Sequence, residues 1–195
     1  MPGYQVRNFS KSRYAAVSLL RLTEHHHTIH GLIEADVTAA RQYIREAEAR
    51  TGEPLSFTAF IIACLGKAVS EDKFVQAYRW GRRKLIVFED VDVTTMVERA
   101  MGNEKTVLST VIRAADKKSY ADINREIQDA QQRPAEQVLS PALKFLYELV
   151  LVLPWFLQKL IWNLIMGDPH RGVKFGGTVA ITAVGMFGEG GGWGL

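Results

Sequence analysis

Residues 106–133, TVLSTVIRAADKKSYADINREIQDAQQR, carry the reading that decides the fold. Thr106 to Ile112 is rich in β-branched residues and reads as a strand. In SYADINREIQDAQQR, Tyr120, Ile123 and Ile127 recur at helical spacing, so the segment is an amphipathic helix with those three side chains inward. Working upstream, Lys84 to Phe88 and Val91 to Thr95 are short β-branched runs and predict two more strands. LSFTAFIIACLGKAVSED predicts a helix capped by Ser56, buried on most of its circumference through Phe57, Phe60, Ile61, Cys64, Leu65 and Ala68. Before it, Ala39, Tyr43, Ile44 and Ala47 mark a surface helix that Gly52 and Pro54 stop. His30 to Thr38 reads as the end of a strand, with Asp36 or Thr38 capping that helix. Downstream, Pro141–Leu153 and Trp155–Met166 predict a helical pair, packed as a hairpin or sharp bend and broken at Pro154. GGTVAITAVG then gives a strand bracketed by Gly177 and Gly185, expected at the sheet centre because both its faces lack charge. Strands and helices interleave, so the class is α/β or α+β.

Composition excludes several alternatives. A chain of 195 residues fits one domain. Its 47% hydrophobic and 23% charged residues are ordinary for a globular protein and exclude wholesale disorder. The single cysteine, Cys64, cannot form an internal disulfide, which excludes a disulfide-stapled scaffold. With 24 basic and 21 acidic residues, the net charge of +3 is too small to imply a nucleic-acid partner. The opening MPGYQVRNFSKSRY has no apolar stretch of the signal-peptide kind, so a cytoplasmic location is expected. The apolar run Leu143 to Met166 is interrupted by Lys144, Glu148, Pro154 and Lys159. A transmembrane helix is therefore not expected, and contact with a membrane surface through residues 141–166 is the least favoured reading.

Few residues stand out as chemistry. His25, His26, His27 and His30 cluster, but no carboxylate or cysteine sits at ligand spacing beside them. A polar strand start or an interface is favoured over a metal site, and no metal is expected. Cys64 lies on the buried helix and reads as a small core hydrophobe. The tail GEGGGWG lacks the Gly-Lys-Ser/Thr of a phosphate-binding loop. The strand Thr178 to Val184 is more informative. Its alternation puts Thr178, Ala180 and Thr182 on one face and Val179, Ile181 and Ala183 on the other. Small and hydroxylated residues on one face leave room for a ligand or another chain, although threonine is also an ordinary strand former.

Four blocks in order resemble the catalytic domain of the dihydrolipoamide acyltransferases of 2-oxo acid dehydrogenase complexes. IEADVT (Ile33–Thr38) resembles that family's Glu-Val-Asp-Val-Thr. PLSFTAFIIACLGKAV (Pro54–Val69) is similar to its Leu-Ser-Phe helix. VIRAADKKSYADINREI (Val111–Ile127) is similar to its Val-Ile-(Arg/Lys)-Asn-Ala-Asp block. GGTVAITAVGMFG (Gly176–Gly188) is similar to its Gly-Gly-Thr-Phe-Thr-Ile-Ser-Asn-Leu-Gly strand. The resemblance runs from about Phe9 to Gly185. It implies a chloramphenicol acetyltransferase-like two-layer sandwich with a mixed sheet, in a homotrimer or higher oligomer whose active sites form between subunits.

The resemblance also implies acyl transfer between a lipoyl thiol and coenzyme A, the lipoyl group being carried on another domain or protein. A histidine in a C-terminal His-x-x-x-Asp-Gly motif takes the proton from the attacking thiol. A serine or threonine hydroxyl holds the oxyanion, and that hydroxyl falls here on Thr182. The sequence departs from the family in three ways. No His-x-x-x-Asp-Gly occurs in these 195 residues, His170 being followed by Arg-Gly-Val-Lys. No lipoyl domain or linker is present in them. Sixty positions separate Asp116 from Gly176, so residues 136–170 read as an apolar helical insertion within one catalytic domain that is incomplete at its C-terminus. Little transferase activity is expected from these residues alone. The competing reading is a non-catalytic relative serving as an oligomeric assembly module or a membrane- or partner-binding module.

Overall fold

A computed structural model describes residues 28–101, 104–133 and 168–183, together with residue 17 and residues 153–154, 156–158 and 160–161. The chain divides into two compact units, residues 1–34 with 139–167 and residues 35–138 with 168–195.

In the first unit, residues 28–34 form no regular structure, and Ile29, Leu32 and Ile33 are exposed. A helical turn begins after Pro154, whose carbonyl accepts from the Leu157 and Gln158 N–H groups. Proline is well placed there, because the start of a helix needs no donor from it. The rest of the expected helical pair, with Trp155 and Trp162, lies outside the described residues, as do His25, His26, His27 and the glycine-rich tail.

The second unit begins with helix α1, Thr38–Thr51, which buries Ile44 and Ala47. The Thr38 N–H donates to Asp36 Oδ1 at 2.9 Å, and the left-handed Gly52 (φ 72°) ends the helix. Helix α2, Phe57–Glu71, starts at Ser56, whose hydroxyl accepts from the Ala59 N–H. A short 3-10 turn, Lys73–Gln76, leads into a hairpin of β1 (Tyr78–Trp80) and β2 (Lys84–Ile86). Two long strands follow, β3 (Val93–Met101) and β4 (Glu104–Ile112), paired antiparallel from Val93 opposite Ile112 onward. After a second 3-10 turn, Ala115–Lys117, come helix α3 (Tyr120–Gln132), helix α4 (Pro169–Gly176) and strand β5 (Val179–Ile181). β5 runs parallel to β3, so the main sheet is mixed with order β4-β3-β5.

One core lies between this sheet and helices α2 and α3. Ala59, Ile62 and Val69 from α2 meet Val91, Val93 and Ile112 from the strands and Ile123 and Ile127 from α3. Burial of such side chains is the main favourable term in folding, at about 25 cal/mol per Å² of apolar surface. Gly66 lets α2 approach the second 3-10 turn closely, since a Cβ there would stand 3.0 Å from the Ala115 carbonyl carbon and the Asp116 nitrogen. The helices are also tied by polar contacts. Asn124 of α3 accepts from the Ser56 N–H at 2.8 Å and donates to the Pro54 carbonyl at 3.0 Å, fixing α3 against the connection between α1 and α2.

Five expectations are corrected. His30–Thr38 is not a strand: residues 28–37 have no strand partner among the described residues, and an isolated strand cannot satisfy its backbone. The α2 face that packs inward runs through Ala59, Ile62, Gly66 and Val69, so Cys64 is exposed and not a core residue. Tyr43, expected to face inward from α1, is exposed. β5 lies at the edge of the described sheet, and β3 is central. The strand expected at Val91–Thr95 extends to Met101, its polar Glu98 lying within a pattern that still buries Val93, Thr95 and Val97.

Two tests follow from this packing. Thr95 is 1% exposed and its hydroxyl has no hydrogen-bond partner among the described residues. Thr95→Val keeps the branched shape and removes the orphaned group, so unfolding stability should rise by roughly 1 kcal/mol in urea titration. Helix α3 has a reciprocal cap: the Ser119 hydroxyl accepts from the Asp122 N–H, and the Asp122 carboxylate accepts from the Ser119 hydroxyl and N–H. The donation from Ser119 holds the Asp122 carboxyl below its ordinary value of 3.8. A depressed folded value means that the cap stabilises above the ordinary carboxylate range and loses that contribution as pH falls through the folded value. Ser119→Ala should cost about 1 kcal/mol near neutral pH, and the penalty should shrink in acid.

Candidate active site

Strand β5 is positioned by a polar network that starts with glutamine. Gln76 is buried at the end of the first 3-10 turn, and its amide donates to the Phe88 carbonyl at 2.8 Å and the Asp90 carbonyl at 3.3 Å. Its Oε1 accepts from the buried Thr178 hydroxyl at 2.7 Å. That hydroxyl accepts in turn from the Asp92 N–H at 3.0 Å, and the Asp92 carbonyl accepts from the Thr178 and Val179 N–H groups at 2.7 and 3.2 Å. A buried amide and hydroxyl are thereby satisfied, which burial requires.

The Asp92 side chain turns to β4. Its Oδ2 accepts from Arg113 Nη1 at 2.6 Å and its Oδ1 from the Ala114 N–H at 2.9 Å. Arg113 also donates to the Val173 carbonyl at 3.0 Å and to the Lys174 carbonyl, two acceptors in the last turn of α4. A guanidinium is well suited there, because its fixed donors reach several oxygens and its charge complements the helix C-terminus. Ala114 takes a left-handed conformation (φ 46°), turning the chain so that the Ala115 N–H donates to the Val91 carbonyl and Asp116 Oδ1 accepts from the Val91 N–H at 3.0 Å. Arg113, Ala114 and Asp116 of the VIRAAD block thus fix the start of β3, and through it β5. Tyr78 adds a longer contact from the hairpin, its hydroxyl donating to the Thr178 carbonyl at 3.5 Å, and partial burial pushes that phenol's pKa up.

The network delivers Thr182 to the open face of the sheet. Val179 and Ile181 pack toward the core, whereas Ala180 and Thr182 are exposed. Pairing puts Thr94 beside Ala180 and Met96 beside Ser109, so the same face carries mostly small or flexible side chains. Thr182 follows directly on the paired strand, and its hydroxyl has no hydrogen-bond partner among the described residues. The paired strand is shorter than the expected Thr178–Val184, and Thr178, bonded to Gln76, is buried and not part of an open face; Ala180 and Thr182 are the exposed pair. His170, by contrast, stands edge-on to Trp80 and Phe88 at ring separations of 6.2 and 5.9 Å. His30 is exposed, and no group of three or more metal-ligating side chains is found among the described residues. Sequence reasoning missed Gln76, Asp92 and Arg113. Only Arg113 had a signal, its place in the VIRAAD block.

Gly177 makes the approach of β5 to β3 sterically possible. Its φ of 64° and ψ of −173° lie in a region open essentially to glycine alone. A Cβ there would stand 2.5 Å from the Asp92 carbonyl oxygen and 2.8 Å from Thr94 Oγ1. Gly177→Ala should therefore lower stability by roughly 3 kcal/mol or more, combining backbone strain with overpacking against a fixed carbonyl. Urea unfolding measures the loss, and an unchanged midpoint would show that β5 does not depend on this approach.

The comparisons with known proteins agree with this architecture. A probable dihydrolipoamide acetyltransferase from Listeria monocytogenes 4b F2365 has a similar structure, with a TM-score of 0.59, 22% identity, and coverage of 73% of this chain and 61% of that one. The truncated catalytic core of the 2-oxoacid dehydrogenase multienzyme complex from Thermoplasma acidophilum gives a TM-score of 0.55, 21% identity, and coverage of 72% and 64%. The cubic core of the pyruvate dehydrogenase multienzyme complex gives 0.58, 16% identity, and coverage of 71% and 58%. The chain thus spans about three fifths of the length of these solved chains. No curated protein matches it. The family model for the 2-oxoacid dehydrogenases acyltransferase (catalytic domain) matches residues 4–142, a stretch that contains β3 and the VIRAAD turn and ends before β5 and Thr182. With most of the chain matched by that model, this protein belongs to the family of 2-oxoacid dehydrogenase acyltransferase catalytic domains.

Proposed function

We propose that this chain is the acyl-transferring part of a thioester-dependent acyltransferase, moving an acyl group between a lipoyl thioester and coenzyme A. The observation that supports it is Thr182: an exposed hydroxyl without a partner among the described residues, following a strand whose start is hydrogen-bonded to Asp92, itself ion-paired with Arg113. A preorganised donor of this kind stabilises the negative oxygen that develops when a thiolate adds to a thioester carbonyl, because it need not reorient as the charge forms. The proton leaves the attacking thiol for a base. In the family resemblance that base is the histidine of the His-x-x-x-Asp-Gly segment, which is not in these 195 residues. The small side chains of Ala180 and Thr94, paired on the same face, leave room for a carbonyl there. Coenzyme A and a lipoyl-bearing partner are the substrates this reading requires.

We further propose self-association, as a trimer or larger assembly. Strand β5 pairs only with β3 among the described residues, so its outer edge offers unpaired backbone groups. One of the similar solved structures is a cubic core of a multienzyme complex, and such an assembly fits that edge and the open sheet face.

The test uses a protein that extends through the histidine segment, assayed by thiol release from an acyl-CoA. Thr182→Val should lower kcat by roughly a hundredfold with KM little changed, since the lost interaction forms only in the transition state. Thr182→Ser should keep most of the activity. Equal turnover by the valine variant and the parent would remove Thr182 from the mechanism and leave it as a residue that ends a strand.

A further inference from the structure

The stretch Lys73 to Phe88, KFVQAYRWGRRKLIVF, has five basic residues and no acidic one. It forms the first 3-10 turn and the β1–β2 hairpin, a two-stranded sheet separate from the main one. The acidic residues that follow are already matched: Glu89 pairs with Lys73 and Asp90 with Lys117. Arg82 and Arg83 at the hairpin turn are exposed and make no ion pair among the described residues. Lys84 stands over the Trp80 ring, 5.3 Å from its centroid, leaving its ammonium at the same tip. Trp80, Gly81, Arg82, Arg83 and Lys84 line an open, shallow depression of about 360 Å³.

The same segment exposes large apolar side chains. Phe74 is 70% exposed, Val75 68%, Leu85 62% and Trp80 46%. Scattered apolar residues on a surface are ordinary, but these four within twelve positions flank the cationic turn, Trp80 on the Lys84 face of the hairpin and Leu85 on the opposite face beside Arg79. Cations around an exposed tryptophan and aliphatic side chains match a bilayer interface: basic groups meet anionic headgroups, the indole sits at their level, and the aliphatic groups leave water. A nucleic acid would use the cations and the ring but offers little to Val75 and Leu85.

We propose that the β1–β2 hairpin and its preceding turn form a docking surface for an anionic lipid membrane. The hairpin lies on the surface and does not span it. No described helix is long and apolar enough to cross a membrane, and three-residue strands are too short to do so. The contact is independent of the acyl-transfer reading and uses none of the residues around Thr182.

The test is co-sedimentation of the full chain with large unilamellar vesicles of phosphatidylcholine, with and without phosphatidylglycerol. Binding should be about tenfold or more tighter with phosphatidylglycerol and should weaken as salt is raised. Arg82→Glu with Arg83→Glu should reduce it by about tenfold or more while the thermal unfolding midpoint stays that of the parent. Brominated phosphatidylglycerol should quench the fluorescence of the parent more than that of Trp80→Phe. Equal binding by the charge-reversed variant would overturn the proposal, as would equal affinity for vesicles with and without phosphatidylglycerol. So would failure to bind vesicles while polyglutamate or an oligonucleotide retains the chain, which would assign the patch to an acidic protein or a nucleic acid.

Discussion

The close passage of Gly177 over the Asp92 carbonyl is the constraint on which the rest of the site depends. Only a residue without a Cβ can occupy that position, and only there can the Thr178 and Val179 N–H groups reach Asp92. Once they do, β5 runs parallel to β3 with Val179 beside Val93, and the alternation of the strand sends Thr182 outward. The Asp92 carboxylate, held by Arg113 and the Ala114 N–H, keeps the carbonyl on the same residue in place. Backbone and side chain of one aspartate thus join three segments far apart in sequence.

This arrangement separates what must be rigid from what must be free. Gln76, Thr178 and Asp92 are mutually hydrogen-bonded and largely withdrawn from solvent, so the cost of burying polar groups is offset and the start of β5 has one low-energy position. Thr182, four residues later, has its hydroxyl uncommitted. Catalysis by a fixed donor needs both conditions, since a donor already engaged in the ground state gains less in the transition state. The helices serve the same end from the other side. Gly66 brings α2 against the turn that follows Arg113, so core packing and the polar network brace the same short segment.

The hairpin contributes in two directions. Toward the domain, Tyr78 and Phe88 contact each other edge-on, and Tyr78 reaches the Thr178 carbonyl, so the hairpin abuts the start of β5. Toward solvent, it displays cations and partly exposed apolar side chains, Trp80 being flanked on one side by the His170 ring. A short two-stranded ribbon of this kind gains stability from what it packs against. Its inner side is therefore where fold stability acts, and its tip is where sequence is free to serve recognition.

The sequence alone made helices α1, α2 and α3 legible, because their signals are local, but not α4, Pro169–Gly176. Ser56, Gly52 and the spacing of Ile123 and Ile127 act within a turn or two, and each feature is found where it was expected. It also determined that Thr182 and Ala180 share a face, since strand alternation is a property of the backbone. Which face of α2 is buried was not legible, because a helix apolar on most sides has no periodicity to choose among them. The neighbours did so, turning Ala59, Ile62 and Gly66 inward and Cys64 out. Among the described residues, the place of β5 at the sheet edge and of β3 at its centre was likewise settled only by pairing between distant segments, as was the lack of a strand at His30–Thr38. Gln76, Asp92 and Arg113 could not be read as a network because each is an ordinary polar residue until tertiary structure brings them together. Local sequence fixes what one turn of chain can decide alone, and long-range hydrogen bonding decides where that turn is used.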